Sequence, residues 1–150
     1  MWSTTHALDV PGITAAAVWD AAYADAAAWP RWNRALASAR LDGPLAEGAT
    51  ARVRFRTGLR LRFAIVAVDP GRAFTDEARL PGARMGHRHE LEPLGDGDGA
   101  PGVRLRNTIY VDGPAAALWG PLLGPPARRG LPDWQRAAAA LALQRPHGAA

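Results

Sequence analysis

From Leu36 to Asp112 the chain alternates apolar and polar residues, and this pattern restricts the fold more than any other feature of the sequence. Val53 and Phe55 alternate with Arg52, Arg54 and Arg56; Leu59, Leu61 and Phe63 alternate with Arg60 and Arg62. Successive residues of a strand point to opposite faces, so a chain of this kind builds a sheet with one apolar and one wet face. Gly43-Pro44, Glu47-Gly48, Thr57-Gly58, Asp69-Pro70-Gly71, Pro81-Gly82 and the Gly95 to Gly102 loop divide the segment into six predicted strands. An antiparallel sheet covered on a single face follows.

The flanking segments supply an extra strand and the cover. Thr4 to Val10 reads as a first strand, ended by Pro11-Gly12. Thr14 is placed to cap a helix through Ala24, with Val18 and Ala22, and Trp19 and Tyr23, one turn apart on one side. A second short helix runs from Asp25 to about Trp29, where Pro30 stops it. Beyond Gly113, Pro114 opens a helical segment through Leu118 and Trp119, and a final helix from about Pro132 carries Trp134, Ala138 and Leu141 on one stripe. The predicted class is α+β: a curved antiparallel sheet of about seven strands around a C-terminal helix, with two short helices between strands 1 and 2. Residues 1–150 fit one domain, with 145–150 as a frayed tail.

Composition removes several chemistries. With no cysteine there is no disulfide framework, cysteine-bound zinc or thiol nucleophile. All eighteen cationic side chains are arginine. Without lysine the chain cannot form a Schiff base or use a lysine base. Met1 to Val10 lacks a basic-then-apolar leader pattern, and the longest uncharged run, Gly113 to Ala127, contains four prolines and is too short to span a membrane. The expectation is a soluble, cytoplasmic protein.

Several local sequences narrow the class. Val18-Trp19-Asp20, Trp29-Pro30-Arg31-Trp32, Gly86-His87-Arg88-His89-Glu90-Leu91 and Gly113-Pro114 at the opening of the last helix stand within this order of elements. With them the chain resembles the START-like, or SRPBCC, helix-grip superfamily, specifically its polyketide cyclase/dehydratase-like branch, from His6 to Leu143. The resemblance implies an apolar ligand held between the sheet and the long helix. Some such proteins are cyclases or dehydratases and others are carriers. Relatives have a continuous last helix, whereas here Pro121, Pro125, Pro126, Gly130 and Pro132 predict a break or irregular segment within 120–132, near the cavity mouth, as a lid or a rigid kink.

Alternation places Asp76, His87, His89 and Asn107 on the inner, otherwise apolar face. A two-residue turn at Pro81-Gly82 sets Asp76 opposite His87, and a four-residue turn sets it opposite His89; matched apolar faces bring Asn107 near His89. A carboxylate beside an imidazole and an amide able to hold a carbonyl oxygen are what removal of a proton next to a ketone needs, as in aldol cyclisation or dehydration. These four are the candidate catalytic residues. The same set could equally be a structural hydrogen-bond network or plain pocket lining. Trp29, Trp32, Phe55, Phe63, Trp119 and Leu123 are the candidate ligand-binding residues, with Trp29 and Trp32 at the rim.

His87-x-His89 with His6 makes a weak three-histidine metal pattern; no metal and no cofactor is expected from it. Arg52, Arg54, Arg56, Arg60, Arg62, Arg104 and Arg106 share the outer face with Glu77, Glu90 and Glu92. Cross-strand ion pairing and a lack of interleaved aromatics make this a solvated face and not a nucleic-acid surface. The readings that follow are binding of a small hydrophobic ligand with cyclase or dehydratase activity, a non-catalytic carrier, or an interaction protein that binds a macromolecule or pairs as a homodimer.

Overall fold

The computed structural model describes residues 1–95 and 100–144; the tail at 145–150 and the middle of the Gly95 to Gly102 loop lie outside the described residues. Seven strands form one antiparallel sheet: β1 (Trp2–Pro11), β2 (Leu36–Leu41), β3 (Thr50–Phe55), β4 (Arg60–Asp69), β5 (Ala73–Leu80), β6 (Ala83–Pro93) and β7 (Gly102–Asp112). Their spatial order is β1-β7-β6-β5-β4-β3-β2, so β2 to β7 form a meander and β1 adds beside β7. The six strands predicted between Leu36 and Asp112 are all present.

Turn chemistry sets the register that matters. Pro81-Gly82 is the two-residue turn, with Leu80 opposite Ala83 and Gly82 at φ +69°. That turn puts Asp76 opposite His87, and the β6–β7 register puts His89 opposite Asn107. Register shifts between Leu36 and Ser38 and between Ile65 and Ala67 interrupt the ladder. Extra residues of this kind bend a strand and help an open sheet to curve.

Between β1 and β2 the chain forms α1 (Ala15–Val18), a π turn (Trp19–Tyr23), a 3-10 turn (Ala26–Ala28) and α2 (Trp29–Trp32). Thr14 caps α1, accepting from the Ala17 N–H at 3.1 Å. The helix expected to run through Ala24 instead widens, with the Ala24 N–H bonded to Trp19 O at 2.9 Å. Asp25 caps the next turn, accepting from Ala27 N–H. Pro30 does not stop a helix; it sits in the first turn of α2, where no backbone N–H is required.

The predicted break at 120–132 is not found. A single helix, α3 (Ala116–Gln144), runs through Pro121, Pro125, Pro126 and Pro132. Each proline removes one i to i−4 bond, but the freed carbonyls belong to Ala117, Pro121, Leu122 and Arg128, all exposed residues that water can serve. The opposite face holds the helix. Gly120, Gly124, Leu131, Gln135, Ala138 and Ala142 form a buried seam. Trp2 lies across its start: a Cβ on Gly120 would stand 2.6 Å from Trp2 Cγ, and one on Gly124 2.1 Å from Trp2 Cζ2. Tertiary burial of an apolar seam outweighs propensity in a helix of this length.

Candidate functional site

A cavity of about 550 Å³ lies between the inner face of the sheet and the helices. Its size is in the range of small-molecule sites. Trp29, Trp32, Phe55, Phe63, Trp119 and Leu123 all line it. Trp29 and Trp32 are 4 % and 3 % exposed, so they belong to the inner wall and not to the rim. Their indole N–H groups donate to Tyr23 O at 3.1 Å and Ala22 O at 2.8 Å, at the π turn, which holds both rings in place. Trp119 donates to Pro81 O at 2.8 Å and ties α3 to the β5–β6 turn.

An aromatic column leads from this wall to the polar residues. Trp29 stacks on Phe74 (centroids 5.6 Å), Phe74 on His89 (4.1 Å), and His89 packs beside His87 (3.7 Å). Asp76, His87 and His89 line the cavity. Asn107 is buried behind them and does not line it.

The hydrogen bonds among these groups fix every tautomer, starting from backbone carbonyls that can only accept. Gln135 Nε2 lies 2.7 Å from His6 O, 3.0 Å from Leu105 O and 2.9 Å from Asn107 Oδ1, sharing its two hydrogens among three acceptors. Gln135 Oε1 therefore accepts from His6 Nδ1–H at 2.6 Å. With its oxygen turned to Gln135, Asn107 directs Nδ2 at the histidines, donating to His87 Nε2 at 3.0 Å and His89 Nδ1 at 3.1 Å. The remaining proton of neutral His89 is on Nε2, which donates to Asp76 Oδ2 at 3.2 Å. The proton of neutral His87 is on Nδ1. Among the described residues, His87 Nδ1 and Asp76 Oδ1 are the side-chain atoms of this network's cavity-lining members with no protein hydrogen-bond partner.

Burial sets the charges. It pushes the Asp76 carboxyl up to about 6, with His87 opposing the rise and Glu77 adding to it. It pushes His89 down to about 3 and holds His87 well below the usual imidazole value, where neighbouring His89 adds to the drop and Asp76 opposes it. At neutral pH both imidazoles are uncharged and Asp76 is mostly ionised. The His89–Asp76 contact is then a neutral N–H donating to a carboxylate, not an ion pair. Perturbed groups at a cavity wall mark candidate reactive sites.

The four polar residues singled out by alternation thus meet in one network. Gln135 is the member that sequence reasoning missed: a polar side chain in the buried seam of α3, visible as such only once the helix is continuous. His6 faces inward but is held by Gln135 and does not join the other histidines. No group of three or more His, Cys, Asp or Glu placed to hold a metal ion is found among the described residues. On the outer face, Arg104 and Arg106 pair with Asp9 and Glu92, as ion pairing across strands requires. The arginines of β3 and β4 do not follow that expectation: among the described residues only Asp42 approaches them, 3.9 Å from Arg52.

Residues 1–145 match the model of a family described as polyketide cyclase/dehydrase and lipid transport. No curated protein matches the chain. Among solved structures, a hypothetical protein of Helicobacter pylori superposes with a TM-score of 0.72 at 14 % identity, over 93 % of this chain and 87 % of that one. Norcoclaurine synthase from Thalictrum flavum, in complex with dopamine and hydroxybenzaldehyde, gives a TM-score of 0.63 at 14 % identity, over 96 % and 88 % of the two chains. A START superfamily protein from Mycobacterium smegmatis gives 0.61 at 14 % identity, over 93 % and 92 %. At these identities the likeness is one of fold. No helix among the described residues is long and apolar enough to cross a membrane.

Proposed function

The chain belongs to the polyketide cyclase/dehydrase and lipid transport family, and from that premise we propose that its cavity binds a small, largely apolar ketone and promotes proton transfer beside the carbonyl group. The observation that carries this reading is the pairing of two free polar atoms, His87 Nδ1–H and Asp76 Oδ1, at the wall of an otherwise apolar, aromatic cavity. One is a donor and the other an acceptor.

In this mechanism the neutral His87 donates its Nδ1–H to the ligand's carbonyl oxygen. Asp76, ionised above about pH 6, takes the proton from the adjacent carbon, and the C–H electron pair moves into the enolate held by His87. In an aldol closure that enolate carbon bonds to a second carbonyl carbon of the same molecule, and the proton on Asp76 passes to the new alkoxide oxygen. Asn107, His89 and Gln135 act as positioning residues, because their polar atoms are engaged with one another and with Asp76. Hydrogen–deuterium exchange of an apolar aryl ketone at its α-carbon tests the chemistry: the protein should accelerate it, and Asp76→Asn should abolish the acceleration.

A carrier without catalysis is the second reading, supported by an aromatic wall in which Trp29, Trp32 and Trp119 all turn their N–H groups back to the protein. Saturable ligand binding with no α-carbon exchange above background would favour it. Native mass spectrometry of the protein taken from its own host would identify a bound molecule by mass under either reading.

A further inference from the structure

The outer face of the sheet is divided by charge. Toward β1, acids and arginines alternate: Asp9 and Glu92 pair with Arg104 and Arg106, and Glu77 and Asp112 with Arg84. Toward β2, arginine faces arginine. Arg40 stands directly opposite Arg52, Arg52 opposite Arg62, and Arg54 opposite Arg60. Like charges in such cross-strand positions oppose folding. Arg40, Arg52, Arg54, Arg60 and Arg62 surround a shallow depression of about 540 Å³, with Ser38 at its edge.

These rows lead to the β3–β4 hairpin tip, where Leu59 lies between Arg56 and Arg60 and is 55 % exposed. Leu59 also lines the cavity, so the tip belongs to its mouth. Leu118 and Leu122, each one residue before the cavity-lining Trp119 and Leu123, are 72 % and 64 % exposed. The mouth is therefore bordered by solvent-exposed leucines and flanked by arginines of which, among the described residues, only Arg52 has an acidic partner, Asp42 at 3.9 Å.

We propose that the outer face of β2, β3 and β4, together with the hairpin tip, docks on an anionic phospholipid surface with the cavity mouth toward the bilayer. Arginines suit phosphate oxygens, and a broad basic face without stacking aromatics fits a lipid surface better than a nucleic-acid strand. An exposed leucine between arginines adds nothing to a phosphodiester contact, but it can enter the boundary between headgroups and acyl chains. Docking itself stands on charge and exposure; only the passage of an apolar ligand between bilayer and cavity rests on the function proposed above.

Co-sedimentation with vesicles of phosphatidylcholine mixed with phosphatidylglycerol tests docking. The full chain should bind these vesicles at low salt, bind pure phosphatidylcholine weakly, and release as salt rises. Arg40→Gln/Arg52→Gln/Arg62→Gln should reduce the partition on the order of a hundredfold, at about fivefold per charge. Tryptophan fluorescence titration of the same variant with an apolar aryl ketone reads the cavity separately and confirms folding. No binding to the anionic vesicles, equal binding by the triple variant, or a single-stranded RNA that displaces the protein from them at equal phosphate concentration would each overturn the proposal.

Discussion

Asn107 Nδ2 stands 3.0 Å from His87 Nε2 and 3.1 Å from His89 Nδ1, so one amide fixes the tautomers of two imidazoles. The amide is itself oriented by Gln135, whose nitrogen is committed to backbone carbonyls on β1 and β7. The proton positions at the cavity wall therefore trace back to the docking of α3 on the sheet.

Nitrogen-detected NMR should show His87 in the Nδ1–H form and His89 in the Nε2–H form near neutral pH. Gln135→Leu should mix these forms and destabilise the fold by about 2–3 kcal/mol, since buried acceptors on Leu105 and Asn107 lose their donor. Chemical denaturation measures the loss. Unchanged histidine nitrogen shifts in the variant would show that Gln135 does not set the tautomers.

Stability should fall as the pH drops below about 6.5. His87 and His89 have depressed folded values, so their contribution is complete above the unfolded imidazole value and is lost as pH falls toward about 3 for His89. Asp76 works in the opposite sense: its raised value gives a contribution present at low pH and lost as pH rises through about 6. Two histidines outweigh one carboxyl. The net is about one proton taken up on unfolding near pH 5, a slope of about 1.4 kcal/mol per pH unit. Denaturation midpoints across this range measure it, and His89→Phe should remove most of the slope.

The α-carbon exchange rate should rise with pH through about 6, because in the proposed mechanism the base is the Asp76 carboxylate. His87→Ala should slow exchange without shifting that midpoint far, since the proposed role of His87 is to hold the carbonyl oxygen and not to take the proton. A midpoint that disappears in His87→Ala but persists in Asp76→Asn would reverse the two roles.

The helix seam is open to a packing test. Gly124→Ala places a methyl 2.1 Å from the present position of Trp2 Cζ2 and should cost about 1–3 kcal/mol. In a Trp2→Ala background the same change should cost little. Equal costs in the two backgrounds would mean that Trp2 does not determine the requirement for glycine.

Local rules were sufficient where they act alone. Alternation placed Asp76, His87, His89 and Asn107 on one face, and turn length at Pro81-Gly82 left two registers, of which the structure takes the two-residue one. They were insufficient where distant packing decides. The prolines of α3 argued for a break, yet their freed carbonyls lie on the wet side while Gly120, Gly124 and Leu131 hold the other side to the fold. Gln135 stayed hidden for the same reason, because its partners are 129 positions away for His6, 30 for Leu105 and 28 for Asn107. Alternation also identified the outer arginines correctly as a face, but not that the acids on it collect toward β1.

The proposed function requires a cavity that takes an apolar ligand by its carbonyl end. Tryptophan fluorescence during titration with an apolar aryl ketone tests it most directly, since Trp29, Trp32 and Trp119 line the cavity. Saturable quenching by one equivalent is expected, weakened about tenfold in His87→Ala through loss of one buried hydrogen bond. No change in emission with aryl ketones, phenols or long-chain acids would contradict it.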